Sequence, residues 1–443
     1  MEKPVIYICV EIKNREYVSQ IYLSLKAALK GYRVYLGTHA AIYALLRNKK
    51  TKTGIYLDKS LQPESRMRWV LNHIEHYCVL DAELTPYFTK EYWMEEFPSR
   101  LYLNSDELVE KFLVVNEGLS EVASHHFKEH KSKVIISGWP RLELCMEQNS
   151  KIFRDEVSII QQKFGRYLLF ASSFGNLQNP VDTISISAVP PNPTNDLNPT
   201  AQMKNFRNFK QAIEIFRKWD ADASMPTIIV RPHPSERISI WKKELRKLKK
   251  TFVVQGGQIS PWVLASEGVV QHRSTVSMEA FLAGKPVFAL VLDEKNQAKQ
   301  NGWLISKYLL DENSKTLDGN FEEVKLNPDY DPGLMHALLQ DFNTSSTDSI
   351  LKIFDQFLSK PEKRHSTFKL ILSQIDLFSL RRALGLVRDE IYWKLRKTNI
   401  NSQSNFVPGG LDVKSIKKVV KADTEFTKVR FRRMSINLWE FDV

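Results

Sequence analysis

The feature that most constrains this fold is an alternation of short apolar runs with amphipathic stretches, occurring in two successive series. Val5–Val10 predicts a buried strand, Tyr17–Leu29 a helix stopped at Gly31, and Tyr32–Gly37 the next strand. The pattern continues through apolar runs at His76–Leu80, Leu101–Leu103, Phe112–Val115 and Val134–Ser137. A second series opens at Tyr167–Ala171. It runs through a helix at Met203–Trp219, a strand at Thr227–Val230, a helix at Ser239–Lys249 and strands at Phe252–Val254 and Gly268–Val270. It closes with a helix at Val276–Ala283 and a strand at Pro286–Leu292. Such alternation builds parallel sheets with helices on both faces. The expected fold is α/β, with two Rossmann-like domains facing across a cleft: residues 1–160, then 161–340, then a helical, basic extension over 341–443. A length of 443 residues suits two domains and an appendage. Pro180–Ala201 is rich in Pro, Asn, Thr and Ser; it reads either as a mobile loop over the cleft or as an insertion without function.

With 43% hydrophobic and 26% charged residues, the composition is that of a soluble globular protein. Cys9, Cys78 and Cys145 form neither a metal spacing nor an even disulfide set, which favours a reducing compartment. The N-terminus carries no apolar leader, and no apolar run reaches about 18 residues, so a cytoplasmic protein is expected, free or apposed to the inner face of a membrane. Pro361–Val443 holds 17 Lys and Arg against 9 Asp and Glu, so +8 of the net +12 lies there. Leu380–Leu384 and Ile391–Lys397 interleave these cations with apolar residues. That pattern suits an anionic membrane surface, and equally a packed helix with a solvated basic face. Neither zinc-finger spacing nor an RNP-type aromatic motif is present, so nucleic acid is not an expected partner.

The candidate chemistry lies at strand ends. After Thr227–Val230 comes Arg231-Pro232-His233-Pro234-Ser235-Glu236, where two prolines stiffen the backbone around His233. An imidazole at the C-terminal edge of an α/β sheet stands where such sheets bind ligands, and it can stabilise charge on a departing nucleotide. Arg231 either clamps the same phosphate or pairs with Glu236. After Gly268–Val270 comes Gln271-His272-Arg273-Ser274-Thr275, leading into a helix. Ser274 and Thr275 either cap that helix or add donors to the anion site its first turn makes. Glu279, one turn on, suits the two hydroxyls of a ribose. Ser172 and Ser173 occupy the first turn of the second series and read as phosphate or base contacts.

Asp81 and Glu83 follow the strand His76–Leu80. Alternate residues of an extended chain face one side, so the pair reads either as a shared carboxylate site, serving as base or as nucleophile, or as solvated loop residues. Lys13 and Arg15 stand in the first strand-to-helix turn, placed either to receive an anionic sugar carboxylate or to form a helix-opening charge cluster. Gly138 and Arg141 end the first series, near the ligand or in a plain tight turn. Asp220-Ala221-Asp222 and Asp329-Tyr330-Asp331 match the minimal metal string of some transferases but read as surface turns. His125-His126 lacks a third ligand at metal spacing.

Glu11–Glu16, Val79–Glu83, Ser137–Arg141, Arg231–Glu236, Ser260–Ser266 and Gln271–Val287 together resemble the bacterial surface carbohydrate biosynthesis protein family. The His-Pro and Gln-x-x-Ser/Thr elements are similar to those of the retaining capsule and O-antigen Kdo transferases. That resemblance implies a GT-B type glycosyltransferase fold, CMP-β-Kdo as donor, no metal and no other cofactor. It assigns the CMP moiety to His233, Gln271, Ser274 and Thr275, and the catalytic acid to Glu83, with Asp81 next. Ala82 and Leu84 depart from the acid and glycine usual around that carboxylate. The expected function is transfer of a sugar to a glycan or lipid-linked acceptor during surface polysaccharide assembly. The alternatives are a glycerol- or ribitol-phosphate transferase with a CDP-activated donor, an inverting transferase, and a non-catalytic glycan-assembly module.

Overall fold

A computed structural model describes residues 3–47, 53–174, 199–233, 236–292, 301–314, 324–331, 333–334, 345–358, 407 and 410–443, with the backbone alone over 199–203. The chain divides into two compact units. One takes Met1–Pro86, Lys90–Leu144 and Leu338–Val443; the other takes Tyr87–Thr89 and Cys145–Ala337.

In the first unit the parallel strands are β1 (Val5–Cys9), β2 (Arg33–Gly37), β3 (Ile55–Asp58), β4 (His76–Leu80), β5 (Lys111–Val114) and β6 (Val134–Ile136). They lie side by side in the order β2-β1-β3-β4-β5-β6. The side chains of β1, β3 and β4 are almost continuously buried, as expected of strands covered on both faces. Two assignments differ from the sequence reading. Leu101–Leu103 is a loop and turn, with Leu103 exposed, not a strand. Conversely β3, which that reading passed over, lies beside β1 near the middle of the sheet.

The C-terminal extension is not wholly helical. Helices at Ser346–Leu358 and Val413–Ala422 are followed by β13 (Arg430–Ser435) and β14 (Leu438–Asp442). β14 pairs antiparallel with β2 and extends the first sheet. The physical reason is a period of two: Trp439 and Phe441 alternate with Glu440, and Arg432 binds Glu440 across the hairpin. The basic stretches Leu380–Leu384 and Ile391–Lys397 lie outside the described residues, as does the Pro-rich segment up to residue 198.

The second unit holds β7 (Tyr167–Ala171), β8 (Thr227–Arg231), β9 (Thr251–Val253), β10 (Gly268–Gln271), β11 (Val287–Leu290) and β12 (Tyr308–Leu310). All are parallel, in the order β12-β11-β10-β7-β8-β9. Alternation along the strands sorts the core into two layers. Leu168, Phe170, Ile228, Val230 and Val270 meet Phe209, Phe216, Trp219 and Trp241 on one face. Tyr167, Leu169, Ile229 and Val269 meet Val263 and Ala280 on the other. Gly284, at φ +65°, ends the helix Val276–Leu282 where L side chains rarely sit.

Candidate active site

Open parallel sheets bind ligands outside the carboxyl ends of their strands, where the strand order reverses. In the first sheet that point falls between β1 and β3. The turns after β1, β3 and β4 carry a dense set of charges. Glu83 Oε1 accepts from Arg15 Nη2 at 2.8 Å and from Lys59 Nζ at 3.4 Å. Lys59 also pairs with Glu11. Glu16 Oε1 accepts from the Ile12 amide at 2.7 Å at the start of the helix Lys13–Leu29. Burial pushes the Glu83 carboxyl up, but Arg15 and then Lys59 outweigh it and hold it at about 2. The result is an ionised carboxylate whose side chain remains 39% exposed.

Asp81 has a different environment. Its side chain is fully buried. Oδ1 accepts from the Glu83 and Leu84 amides at 2.8 and 2.9 Å, and Arg100 binds both oxygens at 2.7 and 2.9 Å. The expectation that the two acids share a face is therefore corrected. Beyond β4 the backbone turns around the Asp81 side chain, and the period of two is lost. Asp81 faces in, and Glu83 faces the cations.

Of the other first-unit candidates, Arg15 alone meets Glu83. Lys13 Nζ is 2.6 Å from the Gly410 carbonyl and 2.8 Å from Asp412, so it pins the C-terminal segment. Arg141 is buried and lies 4.9 Å over the Trp139 ring. A cavity of about 10 Å³, room for one water, is lined by Arg15, Lys59, Ala82, Trp139 and Arg141. Gly138, at φ +70°, serves close packing: a Cβ there would fall 2.3 Å from Ser346 Oγ.

In the second sheet, counted from its own first strand, the order is three-two-one-four-five-six, and it reverses between β7 and β10. The turns after β7, β8 and β10 therefore stand side by side, and polar contacts tie the first two together. Ser172 Oγ accepts from the His233 amide at 3.0 Å and donates to Glu236 Oε2 at 2.6 Å. Glu236 also accepts from the Phe174 amide and from Trp241 Nε1, each at 2.8 Å. Burial pushes the Glu236 carboxyl up; these donors oppose the shift. Phe174 in turn stacks on His272, with ring centroids 5.2 Å apart.

On this framework His233 is exposed, while Ser173, Arg273 and Thr275 are half-buried. Arg273 has φ +55°, a conformation that non-glycine residues seldom hold and that concentrates at functional turns. Several candidates turn inward. Arg231 donates to the Gly256 and Gly257 carbonyls at 2.7 and 2.9 Å and lies 5.0 Å over the Trp262 ring; it does not pair with Glu236. Burial lowers it to about 10. Gln271 accepts from Tyr87 at 3.1 Å and donates to the Gly302 carbonyl and Ser306 Oγ, each at 3.1 Å. Glu279 is wholly buried and accepts from Ser260 Oγ at 3.0 Å, with the Cys145 thiol 3.6 Å away. Ser274 Oγ accepts from the Val276 amide at 3.4 Å, a capping contact; Thr275 stands at the N-cap position without capping.

In the Asp-x-Asp strings Asp222 and Asp331 hold local turns, accepting from the Ser224 and Gly333 amides, while Asp220 accepts from the Lys249 and Lys250 amides at the entry to β9. The sequence reading missed Lys59, because it missed β3, and assigned no role to Arg100 or Arg273. The apolar run Ile55-Tyr56-Leu57 ahead of Asp58-Lys59 is the signal that marks the first of these.

No family model and no curated protein matches the sequence. Solved structures do match. A candidate UDP-N-acetylglucosamine 2-epimerase from Listeria monocytogenes superposes with a TM-score of 0.50 at 9% identity, covering 82% of this chain and 99% of that one. The UDP-GlcNAc 2-epimerase of Methanocaldococcus jannaschii gives 0.47 at 13% identity, over 80% of this chain and 100% of that one. A variant of the wall teichoic acid polymerase TagF gives 0.47 at 11%, over 80% and 90%. The protein has the mixed α/β fold, with parallel sheets, of the Listeria protein. Among the described residues no helix is long and apolar enough to cross a membrane.

Proposed function

We propose that this protein is a glycosyltransferase of bacterial surface polysaccharide assembly that uses a CMP-activated sugar, Kdo by the family resemblance, with retention and without a metal. The observation that carries the reading is the meeting of the Ser172, His233 and Ser274 turns at the strand-order reversal of the second sheet. Turns at such a point bind phosphate through backbone N–H groups. On these turns the exposed His233 and the half-buried Arg273 and Thr275 are the groups that receive the nucleotide.

Glu83 supplies the carboxylate. With Arg15 and Lys59 beside it, it is ionised at every physiological pH, which suits a nucleophile and rules it out as a general acid. In the first step a Glu83 oxygen bonds to the anomeric carbon as the bond from that carbon to the CMP phosphate oxygen breaks. CMP leaves with the electron pair on its phosphate oxygen. In the second step an acceptor hydroxyl displaces the carboxylate from the same carbon and gives up its proton to solvent water. The low basicity of Glu83 makes it a good leaving group there. Asp81 stays with Arg100 and the turn.

Nucleotide release from CMP-, UDP-, GDP- and CDP-activated donors, measured with EDTA present, tests the reading. CMP-sugar turnover is expected, falling roughly 100-fold or more in His233→Ala and Glu83→Gln. Wild-type rates in both variants, or turnover of a CDP-polyol to a phosphodiester product, would overturn it.

A further inference from the structure

The opposite edge of the second sheet has a character that the transfer reaction does not use. Between Lys242 and Lys250 the chain carries six Lys and Arg against the single acid Glu244. This segment spans the helix Ile238–Leu245 and the turn that enters β9, the edge strand of the sheet. Its buried side is set by Trp241 and Leu245, which join the core. Lys242, Lys243, Arg246, Lys247 and Lys249 are all exposed. Glu244 is taken by Lys210 and Arg217 of the neighbouring helix, at 3.3 and 3.0 Å. Among the described residues no carboxylate pairs with those five exposed cations.

Two details separate this from an ordinary solvated face. Lys242 with Arg246, and Lys243 with Lys247, place like charges four apart, an arrangement that costs helix stability. Beside them Phe252 of β9 is 42% exposed. It stands 5.9 Å from Phe164, whose ring carries the Lys163 ammonium at 5.1 Å. Lys163, Phe164, Lys249, Lys250 and Phe252 line an open groove of about 540 Å³. Cations surrounding an exposed aromatic match the interface of an anionic bilayer, where lysines meet headgroups and the ring enters the acyl boundary.

We infer that this basic edge, Lys242–Lys249 with Phe252 and the Lys163 groove, docks the protein on an anionic phospholipid surface. It lies at the amino-terminal ends of β7, β8 and β9, and the candidate nucleotide turns lie at their carboxyl ends, so docking leaves those turns uncovered. The inference does not depend on the identity of the donor.

Vesicle co-sedimentation of the full chain tests it, with phosphatidylcholine alone and mixed with phosphatidylglycerol. Binding is expected only to the mixed vesicles and is expected to weaken with salt. Each cation at such a surface strengthens association about 5-fold, so Lys242→Gln, Lys243→Gln, Arg246→Gln and Lys247→Gln together should weaken it roughly 600-fold. Phe252→Ser, with all charges kept, should weaken it several-fold. Wild-type sedimentation of the fourfold variant, with its circular dichroism unchanged, overturns the proposal. So does displacement by soluble polyglutamate combined with indifference to Phe252→Ser, which marks a polyanion site instead.

Discussion

The turns at the order reversals of the two sheets handle charge in opposite ways. In the first unit, acids are packed against basic side chains: Glu83 with Arg15 and Lys59, Asp58 with His39, Asp81 with Arg100. Burial alone would raise the Glu83 and Asp58 carboxyls, yet both are brought to about 2. In the second unit, burial prevails. Glu236 is pushed up and Arg231 down, and both are held by hydrogen bonds to uncharged donors or carbonyls. One site therefore presents a fixed negative charge among cations, and the other a scaffold of neutral bonds around backbone amides. The first suits a developing positive centre; the second suits an incoming anion.

The sharpest way to break this contrast is to compare the two neighbouring acids. Asp81→Ala strands Arg100 and two turn amides, and should cost about 3 kcal/mol in urea unfolding. Glu83→Gln alters a partly exposed pair and should cost under about 1 kcal/mol while removing turnover. Equal destabilisation by both would erase the distinction between framework and reacting carboxylate.

Acid titration separates the units by sign. In Asp58, burial raises the carboxyl, but His39, Arg66 and Tyr77 together prevail. A carboxyl with a lowered folded pKa stabilises above its unfolded value and loses that contribution as pH falls through the folded one. Asp58 should thus contribute about 2 kcal/mol above roughly pH 4, lost towards pH 2. Glu236 runs the other way: its raised pKa makes the second unit less stable as pH climbs past the ordinary carboxylate range. Hydrogen exchange of β3 amides and of the Phe174 amide against pH reads the two slopes. Slopes of the same sign would refute the contrast, and Asp58→Asn should flatten the first.

The smallest effect concerns the helix entry. Ser274→Ala removes the contact to the Val276 amide and should cost about 0.5–1 kcal/mol in thermal unfolding. A loss well beyond that would show that the hydroxyl supports more than one cap.

The strands at Val5, His76, Tyr167, Thr227 and Gly268 were legible because each is a short apolar run closed by a polar turn, and that is enough to place His233, Ser274 and Glu83 at strand ends. β3 carries only a weak signal: Ile55-Tyr56-Leu57-Asp58 is brief, and its burial comes from neighbours far along the chain. β14 was hidden for the same reason, since it belongs beside β2 across some four hundred residues. Which side chains at each turn face inward was likewise beyond local pattern. Asp81 and Glu83 have the same chemistry two residues apart, and Arg100 with two turn amides gives one of them to the framework. Gln271, Glu279 and Arg231 look like ligands in a linear string, yet Tyr87, Ser260 and the Gly256 carbonyl claim them. The sequence by itself determined the alternation, and with it the parallel sheets and the strand ends where chemistry gathers, because periodicity and turn residues act locally. Only the tertiary structure decided which polar groups remain available to a ligand, because satisfying a buried donor or charge depends on partners that the fold brings from elsewhere.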